Sequence, residues 1–179
     1  MDLSNCNIRT PRLLLKEWHS FGSTERAKSD LTGVVISILT EPVTRSLPPA
    51  WQGDYSTNRA ADWIHERDSE GTTLLAISAE TSQPVGLMIL YEIEDIETGD
   101  EDIRLGYLLA ESAWGSGMAT EMVSGFLDWC RSQDFHGTIT AGVERDNQAS
   151  RRVLEKNGLN SGPTETSGST ETIYRLRLG

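Results

Sequence analysis

The sequence predicts a mixed α/β (α+β) fold, one sheet flanked by helices, and three observations lead there. The hydrophobic period changes from helical to extended near Thr72 and returns to helical near Gly117. A strand-like segment, Leu105–Leu109, runs through the glycine-spaced turn Gly115-Ser116-Gly117 into an amphipathic helix. A second strand-to-helix passage follows from Thr138 to Asn157. A strand feeding a helix start through small residues leaves backbone N–H groups free to hold an anion.

At 179 residues the chain is long enough to bury a core as a single domain, 1–179. No apolar run reaches the ~20 residues a membrane span requires, which predicts no membrane partner. Met1–Arg9 lacks the basic-then-apolar order of a secretory signal. Cys6 and Cys130 form neither a CxxC nor a Cys/His cluster, so a reduced, cytoplasmic protein without a metal is expected. The net charge of -11 and pI near 4.7 argue against nucleic-acid binding. An acidic surface suits a cationic partner such as an amine, or simply keeps the protein in solution.

In chain order, Ile8–Trp18 reads as a first strand after a proline-marked entry, with Leu13 and Leu15 on one face and Leu14 opposite. Ser20–Leu47 reads as helix–loop–helix: Ser23, Arg26, Ala27 and Leu31 mark one helix and Val34–Leu39 a second apolar patch. Glu41-Pro42 and Pro48-Pro49 interrupt them. Thr57–Asp68 is a helix with Ala60, Ala61, Ile64 and His65 at helical spacing, stopped by Gly71. Thr72–Ala79 and Val85–Ile93 form a hairpin, and their nearly continuous apolar runs predict strands covered on both faces. The acidic stretch Glu92–Asp102 reads as a loop before the strand Ile103–Leu109. Gly117–Gln133 is a helix facing Met118, Met122, Phe126 and either Trp129 or Cys130 inward. Thr138–Val143 alternates as a strand, and Asp146–Asn157 is a helix capped by Asp146/Asn147 and ended by Gly158. Leu159–Ser169 holds a brief strand or loop, and Thr170–Leu178 closes the chain as a strand.

Gly115-Ser116-Gly117 alone is a weak signal. A dinucleotide fingerprint needs Gly or Ala where Thr120 stands, and a P-loop needs a terminal G-K-[ST]; neither is met. The turn is one of four blocks, however: T-P-R-L-L-L from Thr10, L-G-Y-L-L from Leu105, W-G-S-G-M-A-T-E from Trp114, and N-x-x-S-x-R-V-x-E-K-x-G from Asn147. In this order and spacing they resemble the GNAT superfamily of N-acetyltransferases, and within it the branch of ribosomal-protein N-terminal acetylases (RimJ/RimL-like).

The resemblance implies a twisted, mostly antiparallel mixed sheet of about seven strands, splayed after the fourth and flanked by about four helices. It implies acetyl-CoA as cosubstrate and a primary amine as acceptor, a protein N-terminus or a small amine, in a monomer or homodimer. Leu108, Leu109 and Ala110 would take the pantetheine, with Trp114 and Gly115 opening the turn. Ser116, Gly117, Met118, Ala119 and Thr120 would hold the pyrophosphate. Asn147 lies near the thioester end, as well as reading as a helix N-cap, and Arg152 would meet a CoA phosphate. Many members carry a tyrosine where Leu154 stands; in this branch a serine, here Ser150, protonates the departing thiolate. Arg104 stands where the branch often has a glutamate base, which leaves Glu92 and Asp102 as substitutes. The alternative is a CoA-binding sensor or scaffold of the same fold that has lost catalysis.

Overall fold

The computed structural model describes residues 2–21, 25–94, 101–162 and 171–179. Among these residues eight strands form one sheet in the order β1-β2-β3-β4-β5-β6-β8-β7. They are β1 (Asn7–Arg9), β2 (Leu13–Glu17), β3 (Thr72–Ser78), β4 (Pro84–Glu94), β5 (Glu101–Leu109), β6 (Gly137–Glu144), β7 (Asn160–Ser161) and β8 (Glu171–Leu178). Every neighbouring pair is antiparallel except β5–β6, which is parallel. Among the described residues five α-helices accompany them: α1 (Glu25–Ile38), α2 (Glu41–Thr44), α3 (Thr57–Glu70), α4 (Met118–Ser132) and α5 (Gln148–Lys156). No helix among the described residues is long and apolar enough to cross a membrane.

The central strands are covered on both sides, as their apolar runs predict. On one face Met88, Leu90, Ile103 and Leu105 pack against Met122, Phe126 and Cys130 of α4 and Leu154 of α5. On the other, Leu75, Leu87, Ile89 and Leu108 meet Val35 and Ile38 of α1 and Ala60, Trp63 and Ile64 of α3. Each strand alternates between the two faces.

Several expected boundaries shift. The stretch read as one strand from Ile8 to Trp18 is a hairpin, with Ile8 opposite Leu15, because Thr10–Arg12 turns the chain. This adds one strand, so the strand expected to splay fourth is β5. Leu13 and Leu15 are buried together with Leu14 opposite, as expected. Pro42 does not break a helix; it sits in the first turn of α2, where its missing N–H costs nothing. In α3 the buried face is Ala60, Trp63, Ile64 and Arg67, and His65 and Ala61 are exposed. The acidic stretch is partly strand: Glu92 pairs with Ile103, Ile93 with Asp102 and Glu94 with Glu101. Ser23, residues 95–100 of that stretch, and 163–170 lie outside the described residues.

Candidate active site

β5 and β6 pair at only two positions, Ile103 with Ile139 and Arg104 with Thr140, and then diverge. The divergence opens a cleft of about 960 Å³ walled by β5, the turn into α4, the N-terminal half of α5 and the end of β6. A groove of about 650 Å³ between β1 and α4 joins it at Gly117, Thr120 and Lys156.

The edge of β5 facing the cleft is backbone. The Ala110 N–H donates to the Val85 carbonyl, toward β4, at 2.9 Å. In an antiparallel ladder alternate residues bond to alternate sides, so Leu108 also faces β4, while Tyr107 and Leu109 direct N–H and C=O into the gap. Of the three residues expected to meet pantetheine, only Leu109 aims its backbone there; Leu108 lends a side chain and Ala110 lies outside the lining. Trp114, half exposed, donates its indole N–H to the Leu109 carbonyl at 2.8 Å.

Beyond Trp114 the chain turns through Gly115 (φ 69°) and Gly117 (φ 81°). Gly117 is the N-cap of α4, in the left-handed region that disfavours any residue with a Cβ. It offers no side-chain cap, so the first-turn N–H groups at Met118, Ala119 and Thr120 keep their capacity for an anion. These three line the cleft together with Gly115 and Gly117. Ser116 does not: its hydroxyl donates to the Ala113 carbonyl at 2.6 Å.

On the α5 wall, Asn147 caps the helix, its Oδ1 accepting the Ser150 N–H at 3.0 Å. No protein hydrogen bond engages the Ser150 hydroxyl among the described residues, and Ser150 and Asn147 both line the cleft. Tyr107 spans the gap by donating its hydroxyl to the Ser150 carbonyl at 3.2 Å; burial pushes this phenol up to about 12. It therefore stays neutral and acts as a strut. Arg152 is exposed and lines the cleft, whereas Arg151 donates to the Tyr174 hydroxyl at 3.0 Å.

Neither carboxylate offered by the sequence reaches this space. Glu92 is exposed near the end of β4, opposite Ile103, and is not among the residues that line the cleft. Asp102 accepts the Thr138 N–H at 2.9 Å, tying β5 to the start of β6. The cleft has a different carboxylate, Glu171 of β8. Its Oε2 lies 3.3 Å from Arg104 Nη2, and Glu171 pairs across the strands with Glu144, which also lines the cleft. Gly142 makes the room: a Cβ there would collide with the Glu171 carboxylate.

Sequence reasoning missed Glu171, Gly142 and also Asn157, whose amide donates to the Thr120 carbonyl at 3.3 Å and so fastens α5 to the first turn of α4. A glycine inside an alternating strand was the one available signal. Of the tryptophans, Trp51 lines the cleft while Trp18 and Trp63 are buried in edge-on contact. Arg67, itself buried, sits 4.4 Å above the Trp51 ring. Cys130 is buried and its thiol pushed up to about 12 by burial, which removes it as a nucleophile.

A profile of the acetyltransferase (GNAT) domain matches residues 25–160. The chain belongs to the GNAT acetyltransferase family. This acetyltransferase has the fold of several solved relatives. One is a GNAT-family acetyltransferase from Bacillus anthracis: TM-score 0.74, 16% identity, covering 96% of this chain and 98% of that one. A second is RimL, a ribosomal α-N-protein acetyltransferase solved with coenzyme A, at TM-score 0.71 and 17% identity over 96% and 98% of the two chains. A third, from Salmonella typhimurium, modifies the N-terminal serine of a ribosomal protein; it gives TM-score 0.69 and 18% identity over 97% and 99%. No curated protein sequence matches significantly.

Proposed function

We propose that the chain, acting as a single domain in the cytoplasm, moves the acetyl group of acetyl-CoA directly to a primary amine. The observation that carries this reading is the conjunction in one cleft of an open β5 edge, an uncapped helix start entered through a left-handed glycine, and two polar side chains, Ser150 and Glu171. The residues fit the cosubstrate. Tyr107 and Leu109 offer backbone donors and acceptors to pantetheine amides, and Gly117–Thr120 offers N–H groups to the diphosphate, with Arg152 as a cation at the rim.

In the reaction the Glu171 carboxylate takes a proton from the acceptor ammonium, and the neutral amine attacks the thioester carbon. A backbone N–H of β5 stabilises the developing oxyanion. The C–S bond breaks, its electron pair goes to sulfur, and Ser150 supplies the proton that makes the thiol; the nitrogen's second proton passes through water to restore the Ser150 hydroxyl, and Glu171 later releases the first to solvent. Arg104 stands where a base was expected and taken alone favours a non-catalytic binder, but its contact with Glu171 brings a carboxylate to the same cleft.

The acceptor end is walled by Val43, Leu47, Trp51, Ile89 and Tyr91, so the amine best suited to it carries an apolar group close to the nitrogen. The likeness to ribosomal α-N-protein acetyltransferases supports a peptide N-terminus over a free polyamine. Mass spectrometry after incubation with acetyl-CoA and a panel of amines and peptides tests the reading. Acetylated products, strongest for acceptors with an apolar first residue, are expected. Intact acetyl-CoA across the whole panel would leave only the non-catalytic binder.

A further inference from the structure

The T-P-R block near the N-terminus lies outside the main cleft yet is tied to its most important turn. We propose that Arg12, with Thr10 and Glu121, is the positioning device of the diphosphate-binding turn, which rests on the acetyl-CoA reading above. Arg12 stands on the turn between β1 and β2 and precedes Ser116 by 104 residues. Its Nη1 donates to the Ser116 carbonyl at 2.9 Å and its Nε to Glu121 Oε2 at 2.6 Å. The Arg12 backbone N–H and the Thr10 hydroxyl both donate to the other Glu121 oxygen, at 2.8 and 2.7 Å.

Two consequences follow. In a trans peptide the C=O and the next N–H point in opposite directions, so holding the Ser116 carbonyl against Arg12 turns the Gly117 N–H away from it, toward the side a ligand in the cleft occupies. Arg12 thus sets the direction of a donor it does not itself provide. The second consequence is electrostatic. Glu121 lies in the first turn of α4, where the helix dipole welcomes a carboxylate but a bound diphosphate is repelled by it. Arg12 and Thr10 occupy both Glu121 oxygens and divert that charge. Burial pushes the Glu121 carboxyl up, yet the bonds from Thr10 and Arg12 outweigh it and hold the group below the usual carboxylate range. It is therefore charged at neutral pH and in need of Arg12.

The test compares acetyl-CoA with acetyl-pantetheine, which carries the same thioester and arm but no diphosphate. Arg12→Gln is expected to lower kcat/KM for acetyl-CoA relative to acetyl-pantetheine by about tenfold, chiefly through KM, the scale of a lost charge-assisted hydrogen bond. Arg12→Lys, which keeps the charge but not the fork, should recover part of that ratio. Arg12→Gln combined with Glu121→Gln should also recover part, because the uncompensated charge is gone. Equal losses on both thioesters, or an unchanged ratio, would overturn the proposal, the first showing a merely structural role. Should Arg12→Gln fail to fold, Arg12→Lys and Thr10→Val carry the same comparison. If the wild-type protein turns over neither thioester, the acetyltransfer reading fails instead; if it does and the ratio never moves, only this inference falls.

Discussion

The two walls of the cleft are made of different material. On the β5–α4 wall the site is backbone: Tyr107 and Leu109 along an open strand edge, then N–H groups at a helix start shaped by Gly115 and Gly117. On the facing wall it is side chain: Glu171 and Glu144 brought together by the β6–β8 register, with Arg104 reaching across from β5. A backbone site needs small residues at close spacing and little else. A side-chain site depends on which strands pair and where, and its members are scattered along the chain. On the proposed function the first wall would hold the cosubstrate and the second would supply the base.

This division can be broken by mutation. The largest effect is expected from Glu171→Gln, which should lower kcat by about 100-fold, the range of a positioned general base, while equilibrium binding of coenzyme A stays intact. Unchanged turnover would strip the side-chain wall of its catalytic role. Gly142→Ala approaches the same point sterically, since the new methyl takes the space of the Glu171 carboxylate. Because that carboxylate ends a flexible side chain, folding should survive while kcat drops, by about tenfold, toward the Glu171 variant. Ser150→Ala should reduce turnover by ~10-fold or more if its hydroxyl protonates the thiolate, and steady-state kinetics with acetyl-CoA decide it.

The smallest effect concerns the strut between the walls. Tyr107→Phe removes the bond to the Ser150 carbonyl and should cost about 1 kcal/mol in urea unfolding. The phenol of Tyr107 and the thiols of Cys6 and Cys130 are each pushed up to about 12 by burial. The unfolded chain releases these protons first, from about pH 8.5 for thiols and 10 for phenols. Stability is thus complete below those values and lost as pH rises toward about 12. Thermal melting should be level through neutrality and fall on the alkaline side, less steeply in Tyr107→Phe.

The backbone wall was the legible one. Its strand, turn and helix occupy contiguous letters from Leu105, and the four-block pattern placed Gly117–Thr120, Asn147 and Ser150 along one cleft. What could not be read there was parity: whether Leu108 or Leu109 faces the gap depends on the Ala110–Val85 bond to a strand twenty-odd residues earlier. The side-chain wall was largely illegible. Glu92 and Asp102 are near the right strand in sequence, but one lies outside the cleft lining and the other is already engaged. Glu171 is far from them in sequence and comes near only because β8 runs antiparallel to β6. The hairpin within Ile8–Trp18 is hidden for a related reason: in the letters Pro11 and Arg12 pass for part of one strand, although Arg12 is where the chain turns back and takes hold of Glu121.

The two-rung ladder between β5 and β6 has a mechanical consequence. On the α4 face one continuous core, containing Ile103, Leu105, Ile139, Ala141 and Tyr174, joins strands from both sides of the divergence. The opposite core ends at β5, with Leu108 its last strand residue. The molecule is therefore sewn along one side of its seam and open along the other, like a book held by its spine. Beyond Arg104 no ladder hydrogen bond among the described residues joins β5 to β6, and the opening is crossed instead by side chains, Tyr107 to the Ser150 carbonyl and Arg104 to Glu171. The space for a long, thin guest is thus bounded by backbone and side chains, while the core on the other side runs on unbroken.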